Sequence, residues 1–121
     1  MEPTEPTKKI WGTTELIFAK NNTEVHRITV AAGGFCSEHV HQHKWNRFYV
    51  ESGTLLVRRS VSGGGSELDM FACKLSAGQS FDVQPGVWHQ FEAKEATIAY
   101  ETYWVELGED IERRTQGGVP F

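Results

Sequence analysis

Short runs of β-branched and aromatic residues, each followed by a cluster of Gly, Asn or Ser, recur along most of this chain. Runs of this kind are typical of β-strands, and the clusters between them are typical of turns. The pattern predicts strands at residues 14–19, 24–31, 37–43, 46–51, 54–60, 67–75, 80–83, 88–93 and 97–105. Only residues 109–115 could form a helical turn. Many short strands joined by regular turns predict an all-β sandwich or barrel.

The length and composition suit one globular domain. The chain has 121 residues, of which 39% are hydrophobic and 23% are charged. Residues 1–10 are mostly polar and include prolines, so we expect a flexible N-terminal arm. Residues 11–121 are expected to form the barrel domain. Residues 62–66 are Gly and Ser between strands of similar type, which favours a hairpin tip over a domain linker.

Charge and cysteine content exclude several classes of function. The net charge of −4 argues against a nucleic-acid partner, because phosphate binding needs a basic face. No apolar run approaches the length of a membrane span, and the N-terminal residues do not form a secretory signal. Two cysteines are too few for a disulfide framework, although one bridge between Cys36 and Cys73 stays open. We therefore expect a cytoplasmic protein with reduced thiols.

Histidines are concentrated in one short segment, where His39, His41 and His43 alternate with other residues. Side chains two positions apart on a strand project from the same face, so His39 and His41 could offer two imidazoles to one point. A third imidazole, from His89, follows the turn expected at residues 85–86. Strands that are distant in sequence can meet in a barrel. The pattern therefore predicts a site for one divalent transition metal such as Fe, Mn, Ni or Zn.

These histidines belong to a two-part pattern that resembles the cupin superfamily. The first half of the family pattern runs from a Gly through His-x-His to a Glu and a second Gly. The second half runs from a Gly through Pro-x-Gly to a His and an Asn. In this chain the two halves fall on Gly33, His39, His41, Asn46, Gly53, Gly78, Pro85, Gly86, His89 and Ala93, with the proline one position late. The resemblance covers residues 28–93 and implies a double-stranded β-helix, or jelly-roll barrel, in a small single-domain protein.

The resemblance implies three metal ligands, His39, His41 and His89. Asn46 occupies the position of the family's Glu ligand, so it is either a weak fourth ligand or a group beside the metal that does not touch it. Three neutral ligands would leave coordination positions open for water, dioxygen or a chelating substrate. A site with a net double positive charge would also favour an anionic substrate.

Other polar residues are candidates for the same site. His43 could replace one of the ligands, or it could lie at the pocket rim or surface. Glu101 lies in a strand otherwise poor in charge, where it could act as a general base with a raised pKa if shielded from water. Surface exposure is the simpler interpretation of Glu101. Tyr103 could supply a pocket hydroxyl, as could Tyr49 or Tyr100.

The remaining histidine, cysteine and aromatic residues are interpreted as structural. Cys36 has the strand parity opposite to the histidine pair, which favours a packing role. Cys73 lies in an apolar strand and is expected in the core, while Phe91 and Trp88 are expected to fill the barrel. His26 lies on an early strand and is most simply structural.

The function expected is that of a metal-dependent enzyme of the dioxygenase, isomerase or lyase class that acts on a small polar or anionic metabolite. Glu101 and Tyr103 are its candidate catalytic residues. The alternative is a non-catalytic module that binds or senses a sugar or sugar acid. No nucleic-acid or membrane partner is expected. A homodimer is expected, in which residues 11–19 could add a strand to the partner's sheet.

Overall fold

The computed structural model describes residues 6–60 and 70–105. Its strands are β1 (Thr7–Lys9), β2 (Gly12–Lys20), β3 (Thr23–Val30), β4 (Trp45–Ser52), β5 (Thr54–Ser60), β6 (Met70–Ser76), β7 (Ser80–Val83), β8 (His89–Glu92) and β9 (Thr97–Trp104). These ranges contain no helix, and so none that could cross a membrane. The predicted helical turn at residues 109–115 and the predicted hairpin tip at 62–66 lie outside the described residues. The prediction of an all-β jelly-roll fold is confirmed.

The strands form two antiparallel sheets whose inner faces enclose the core. The larger sheet has the order β1-β2-β3-β9-β4-β7, and the smaller one has the order β6-β5-β8. The core is an apolar cluster drawn from both sheets and from three connecting segments. Its members are Ile28, Val30, Cys36, Phe48, Val50, Leu55, Val57, Leu75, Val83, Val87, Phe91, Ala93 and Ala99.

Strand β4 shows how the period of two in the sequence sorts side chains between core and solvent. Asn46, Phe48 and Val50 are buried inside the barrel, whereas Arg47 and Tyr49 face outward and are exposed. This alternation is the one predicted for a strand with one buried face. It brings the polar Asn46 side chain into the barrel interior, in the same row as two core residues.

The predicted strand at residues 37–43 is wrong as a regular element. The segment meets the sheet only through isolated bridges, one from Phe35 to Glu92 and one from His39 to His89. At the neighbouring Cys36, the backbone carbonyl that would extend the ladder instead accepts a hydrogen bond from the side-chain amide of Gln90 at 2.9 Å. Side-chain bonds to the backbone compete with regular strand pairing.

The N-terminal part of the chain folds back on its own sheet. Residues 7–9, which belong to the predicted flexible arm, form β1 and pair with residues 12–14 of β2. Strand β2 in turn pairs with β3 of the same chain over its whole length. The segment expected to join a partner's sheet therefore lies within the chain's own larger sheet.

Candidate metal centre

Two backbone contacts bring the distant histidines together. The backbone N–H of His39 donates to the His89 carbonyl at 2.9 Å, and the N–H of His89 donates to the His39 carbonyl at 2.8 Å. The N–H of Gly86 donates to the His41 carbonyl at 2.8 Å, which ties the second histidine to the turn before β8. The irregular segment and the turn before β8 therefore hold all three histidines at one end of the barrel.

The three imidazole rings form one compact cluster. The ring centroids lie 5.2 Å apart for His39 and His41, 4.4 Å apart for His39 and His89, and 5.4 Å apart for His41 and His89. One nitrogen from each ring lies within 4.8 Å of the others, so the group could hold a metal ion. Three nitrogens, each about 2 Å from a common ion, would lie roughly 3–4 Å from one another, so a small movement of the rings suffices.

Hydrogen bonds at Nδ1 fix which ring nitrogen of His39 and of His89 faces the cluster. His39 Nδ1 lies 2.8 Å from the Ser37 carbonyl, and His89 Nδ1 lies 2.9 Å from the Val87 carbonyl. A carbonyl oxygen only accepts, so each Nδ1 carries the proton and each Nε2 keeps a lone pair. Histidine ligands of metals are commonly oriented by such a bond. The Nε2 atoms of His41 and His89 are buried and have no hydrogen-bond partner among the described residues.

Burial favours the neutral form of the His41 and His89 rings. The pKa of His89 is lowered to about 4, chiefly by burial and further by the neighbouring His39 and His41, while the bond to Val87 acts in the opposite direction. Burial also lowers the pKa of His41, with smaller contributions from His39 and Lys44. Neutral imidazole is the form that binds metals. Buried Nε2 atoms without partners and neutral rings together fit a bound divalent ion.

Asn46 contributes a second buried polar group at the same end of the barrel. Its side chain is 1% exposed, and neither amide atom has a hydrogen bond of good geometry to the described residues. It lies opposite Tyr103 in the sheet, and its proximity acts to lower the pKa of the Tyr103 hydroxyl. A buried amide with no partner is costly, so a ligand or ion that satisfies it would be stabilising.

The interpretation of Glu101 as a surface residue is wrong. Glu101 is 6% exposed, because the alternation of β9 that buries Thr97 and Ala99 also turns Glu101 and Tyr103 inward. Burial raises the pKa of Glu101 to about 7, and this rise is partly offset by the hydrogen bond from Tyr103 and by the charge of Lys9. The Tyr103 hydroxyl donates that bond, and burial and the neighbouring carboxylate raise the tyrosine pKa well above its usual value. Glu101 and Tyr103 thus form a hydrogen-bonded pair inside the barrel.

A cleft of about 850 Å³ opens beside these groups. His39, Glu101 and Tyr103 line it, together with His26, whose ring packs against Tyr103 at a centroid distance of 5.5 Å. The structural interpretation of His26 missed this placement. Position 26 has the same parity on β3 as the core residue Ile28, which is the signal that could have found it.

The structure also gives the exposure of the remaining candidate positions, one histidine, two cysteines and one tryptophan. His43 is exposed, in agreement with a rim or surface position. Cys36 is buried, Cys73 is half-buried, and both are free thiols. Trp88 is exposed rather than barrel-filling, because the chain entering β8 turns Val87 and His89 inward and Trp88 outward.

Comparison with known proteins identifies the family. A family model described as a cupin domain matches residues 26–106, which is more than half of the chain. The chain therefore belongs to the cupin family. A sequence search of the curated proteins gives no match.

Solved structures with the same fold share little sequence with this chain. An RmlC-like cupin from Shewanella frigidimarina is 22% identical with a TM-score of 0.70, and the alignment covers 85% of each chain. KdgF from a Halomonas species is 14% identical with a TM-score of 0.70, over 86% of this chain and 90% of that one. An oxalate decarboxylase from Lactobacillus farciminis, in a formate complex, is 18% identical with a TM-score of 0.69, over 88% of this chain and 32% of that one. At these identities the likeness shows the fold alone.

Proposed function

We propose that this cupin binds one divalent transition metal, Fe, Mn, Ni or Zn, through His39, His41 and His89 and uses it in an enzymatic reaction on a small polar or anionic metabolite. The observation that carries the proposal is the cluster of three imidazoles whose nitrogens lie within 4.8 Å of one another. When bound, the metal would supply a Lewis acid that binds and polarises substrate oxygens. Dioxygenase, isomerase and lyase chemistry are the reaction classes proposed.

The chain's own residues supply the proton chemistry in this proposal. Glu101 has a pKa raised to about 7, so near neutral pH its carboxyl group can either hold or accept a proton. The hydrogen bond from Tyr103 fixes the carboxyl group in position within the cleft. Burial leaves only 6% of Glu101 exposed. Glu101 would thus act as the general acid or base and Tyr103 would position it.

The metal would attract an anionic group of the substrate, because the three ligands carry no charge of their own. The likeness to an oxalate decarboxylase in a formate complex supports a carboxylate as that group. Asn46 offers a neutral amide beside the site, which could hydrogen-bond the substrate or bind the metal weakly.

A substrate screen tests the proposed activity. Protein loaded with Fe²⁺, Mn²⁺, Ni²⁺ or Zn²⁺ is incubated with 2-oxo acids, dicarboxylates, β-diketones, thiols and phenols, and consumption is followed by NMR, with an oxygen electrode for the iron form. We expect turnover by the wild type and by His43→Ala, and loss of turnover in His41→Ala and after chelation. Absence of turnover with every metal would contradict the enzymatic proposal.

A non-catalytic binding function is the second candidate. The neutral Asn46 at the family's glutamate position favours it, because a site without the carboxylate would hold a metal less tightly. A thermal-shift screen with sugars and sugar acids distinguishes the two candidates. Stabilisation that persists in the His39→Ala, His41→Ala double variant would show ligand binding without a metal.

We also propose that the protein is a homodimer that associates through the outer face of the larger sheet. That face carries aromatic side chains among charged ones: Trp45 stacks on Trp104 with centroids 5.9 Å apart, and Tyr49 and Phe18 are exposed. Apolar patches on a sheet face commonly mark an interface. Analytical ultracentrifugation tests this: a Phe18→Lys, Tyr49→Lys double variant should be monomeric, whereas Phe71→Lys on the smaller sheet should remain dimeric. A monomeric wild type would contradict the proposal.

A further inference from the structure

We propose that the substrate of this site is an organic acid with an aromatic or branched apolar arm, held at the cleft mouth by Phe35 and Ile10. The inference rests on the proposed metal function and adds the substrate class to it. The acid group would point toward His39, and the arm would cover the two apolar side chains.

The size of the cleft exceeds what a small acid needs. Its volume of about 850 Å³ is toward the upper end of the range for pockets that enclose drug-sized ligands, roughly 300–1,000 Å³. An acid of two or three carbons at His39 would leave most of this space to water. The cleft therefore fits a ligand that extends from the polar floor to the mouth.

The mouth carries apolar side chains that are open to water. Phe35 is 59% exposed and Ile10 is fully exposed, and both line the cleft. Between them and the core, Trp11 packs edge-to-face on Phe91 with centroids 5.0 Å apart. A ligand arm that covered this wall would remove apolar surface from water on both sides of the contact, which is favourable.

The exposure of Phe35 is fixed by the backbone on each side of it. The Gly34 carbonyl accepts the N–H of Ala93 at 2.9 Å, and the N–H of Cys36 donates to the Phe91 carbonyl at 3.1 Å. Phe35 itself forms a bridge with Glu92 of β8. Since the neighbouring residues are bonded to β8 and Cys36 is turned into the core, the Phe35 side chain is turned away from the core, and it lines the cleft.

Polar groups of the same cleft complement an acid. His39 belongs to the imidazole cluster. Lys9 places a positive charge on the cleft lining, close enough to Glu101 to act to lower the pKa of its carboxyl group. A carboxylate near Lys9 and a metal at His39 would be stabilised by both charges. The cleft thus places an apolar wall beside Lys9 and the candidate metal site, an arrangement that suits an amphipathic anion.

A matched pair of ligands tests the inference. The probes are 2-oxobutanoate and 2-oxo-4-phenylbutanoate, which have the same acid group and differ by a phenyl ring. Binding is measured by calorimetry with Ni²⁺-loaded wild type, Phe35→Ala and the control Phe71→Ala, which truncates an exposed phenylalanine on β6 away from the cleft. We expect the phenyl compound to bind wild type and Phe71→Ala about tenfold more tightly, the effect of removing part of one ring from water. Phe35→Ala should lose most of this preference.

The outcomes separate this inference from the metal proposal. Equal affinity for the two acids, or no binding of either, would overturn the inference, and equal affinity that depends on the metal would leave the metal function standing. A phenyl preference that is undiminished in Phe35→Ala would also overturn it. A phenyl preference that is unchanged in chelator-treated protein would support the apolar wall and contradict the role of the metal in binding.

Discussion

The imidazole of His41 packs edge-on against the ring of Tyr103, with centroids 5.1 Å apart. Tyr103 in turn donates a hydrogen bond to Glu101, so the histidine cluster and the buried carboxyl group are joined through one aromatic ring. The candidate ligands come from the irregular segment before β4 and from the start of β8, whereas the acid–base pair comes from β9. Because they lie on different elements, the candidate metal ligands and the acid–base pair can be substituted separately.

Replacement of a single histidine should abolish tight metal binding. We expect His89→Ala to bind Ni²⁺ or Zn²⁺ at least about 100-fold more weakly than wild type, because even loss of a group that only orients a ligand costs 10- to 100-fold. Isothermal titration of chelator-treated protein measures this change. His43→Ala is the matched control, since it removes an exposed imidazole close in sequence to the cluster. Equal affinities for the two variants would refute the assignment of His89.

The pH dependence of stability should change in Glu101→Gln. Burial raises the folded-state pKa of Glu101 to about 7, above the ordinary value of 4.5, so ionisation is disfavoured in the fold. The resulting destabilisation is absent below about pH 4.5, grows as pH rises and is complete above about pH 7. The gain in stability of Glu101→Gln over wild type should therefore increase with pH across this interval, by about 3 kcal/mol.

Urea unfolding of metal-free protein between pH 4 and 8 measures that gain. The wild-type curve alone is not sufficient, because His89 acts in the opposite sense: its folded-state pKa is lowered to about 4, so its contribution is lost as pH falls below 6.5. The difference between variant and wild type removes the His89 contribution. A difference that does not vary with pH would show that Glu101 is not shielded from water.

A carboxylate at position 46 should increase the effect of the metal on stability. In Asn46→Asp the buried charge has no counter-charge in the metal-free protein and gains one when the ion binds. We expect the melting temperature of the metal-loaded form to exceed that of the chelated form by about 5 °C or more beyond the wild-type difference. Asn21→Asp makes the same chemical change on an exposed turn and should leave the difference unaltered. An unaltered difference in Asn46→Asp would place residue 46 away from the ion.

Two glycines with the same backbone conformation should respond differently to alanine. Gly53 and Gly78 both have φ of 87°, which costs a non-glycine residue about 1–2 kcal/mol. A Cβ at Gly53 would lie 2.5 Å from the Thr97 hydroxyl and 2.6 Å from the Ala96 carbonyl, whereas one at Gly78 meets no atom within 4 Å among the described residues. Gly53→Ala should be less stable than Gly78→Ala by about 2 kcal/mol in urea unfolding. Equal losses would contradict the close approach of Gly53 to Thr97.

Much of the fold was predictable because a period of two is a local signal. Strand β5 and strand β7 have the bounds that the sequence predicts, and the alternation in β4 places Asn46 inside as expected. The segment before β4 was not predictable, since its ladder is interrupted by the bond from Gln90, a contact between residues distant in sequence.

The candidate site was predictable in part. The resemblance to the cupin pattern selected the three histidines that the structure brings together. The inward position of Glu101 was not predictable from β9, because both of its faces mix apolar and polar residues. One face carries Ile98, Tyr100 and Trp104, which is at least as apolar as the face that carries Ala99, Glu101 and Tyr103. Only the pairing of β9 between β3 and β4 decides which face is buried.

Anomalous X-ray diffraction from crystals of protein purified without a chelator tests the central proposal most directly. Data collected above and below the absorption edge of the metal found by elemental analysis should give one peak per chain, within about 2.3 Å of the Nε2 atoms of His39, His41 and His89. No anomalous peak at the cluster, or a peak bound by other residues, would contradict the metal centre.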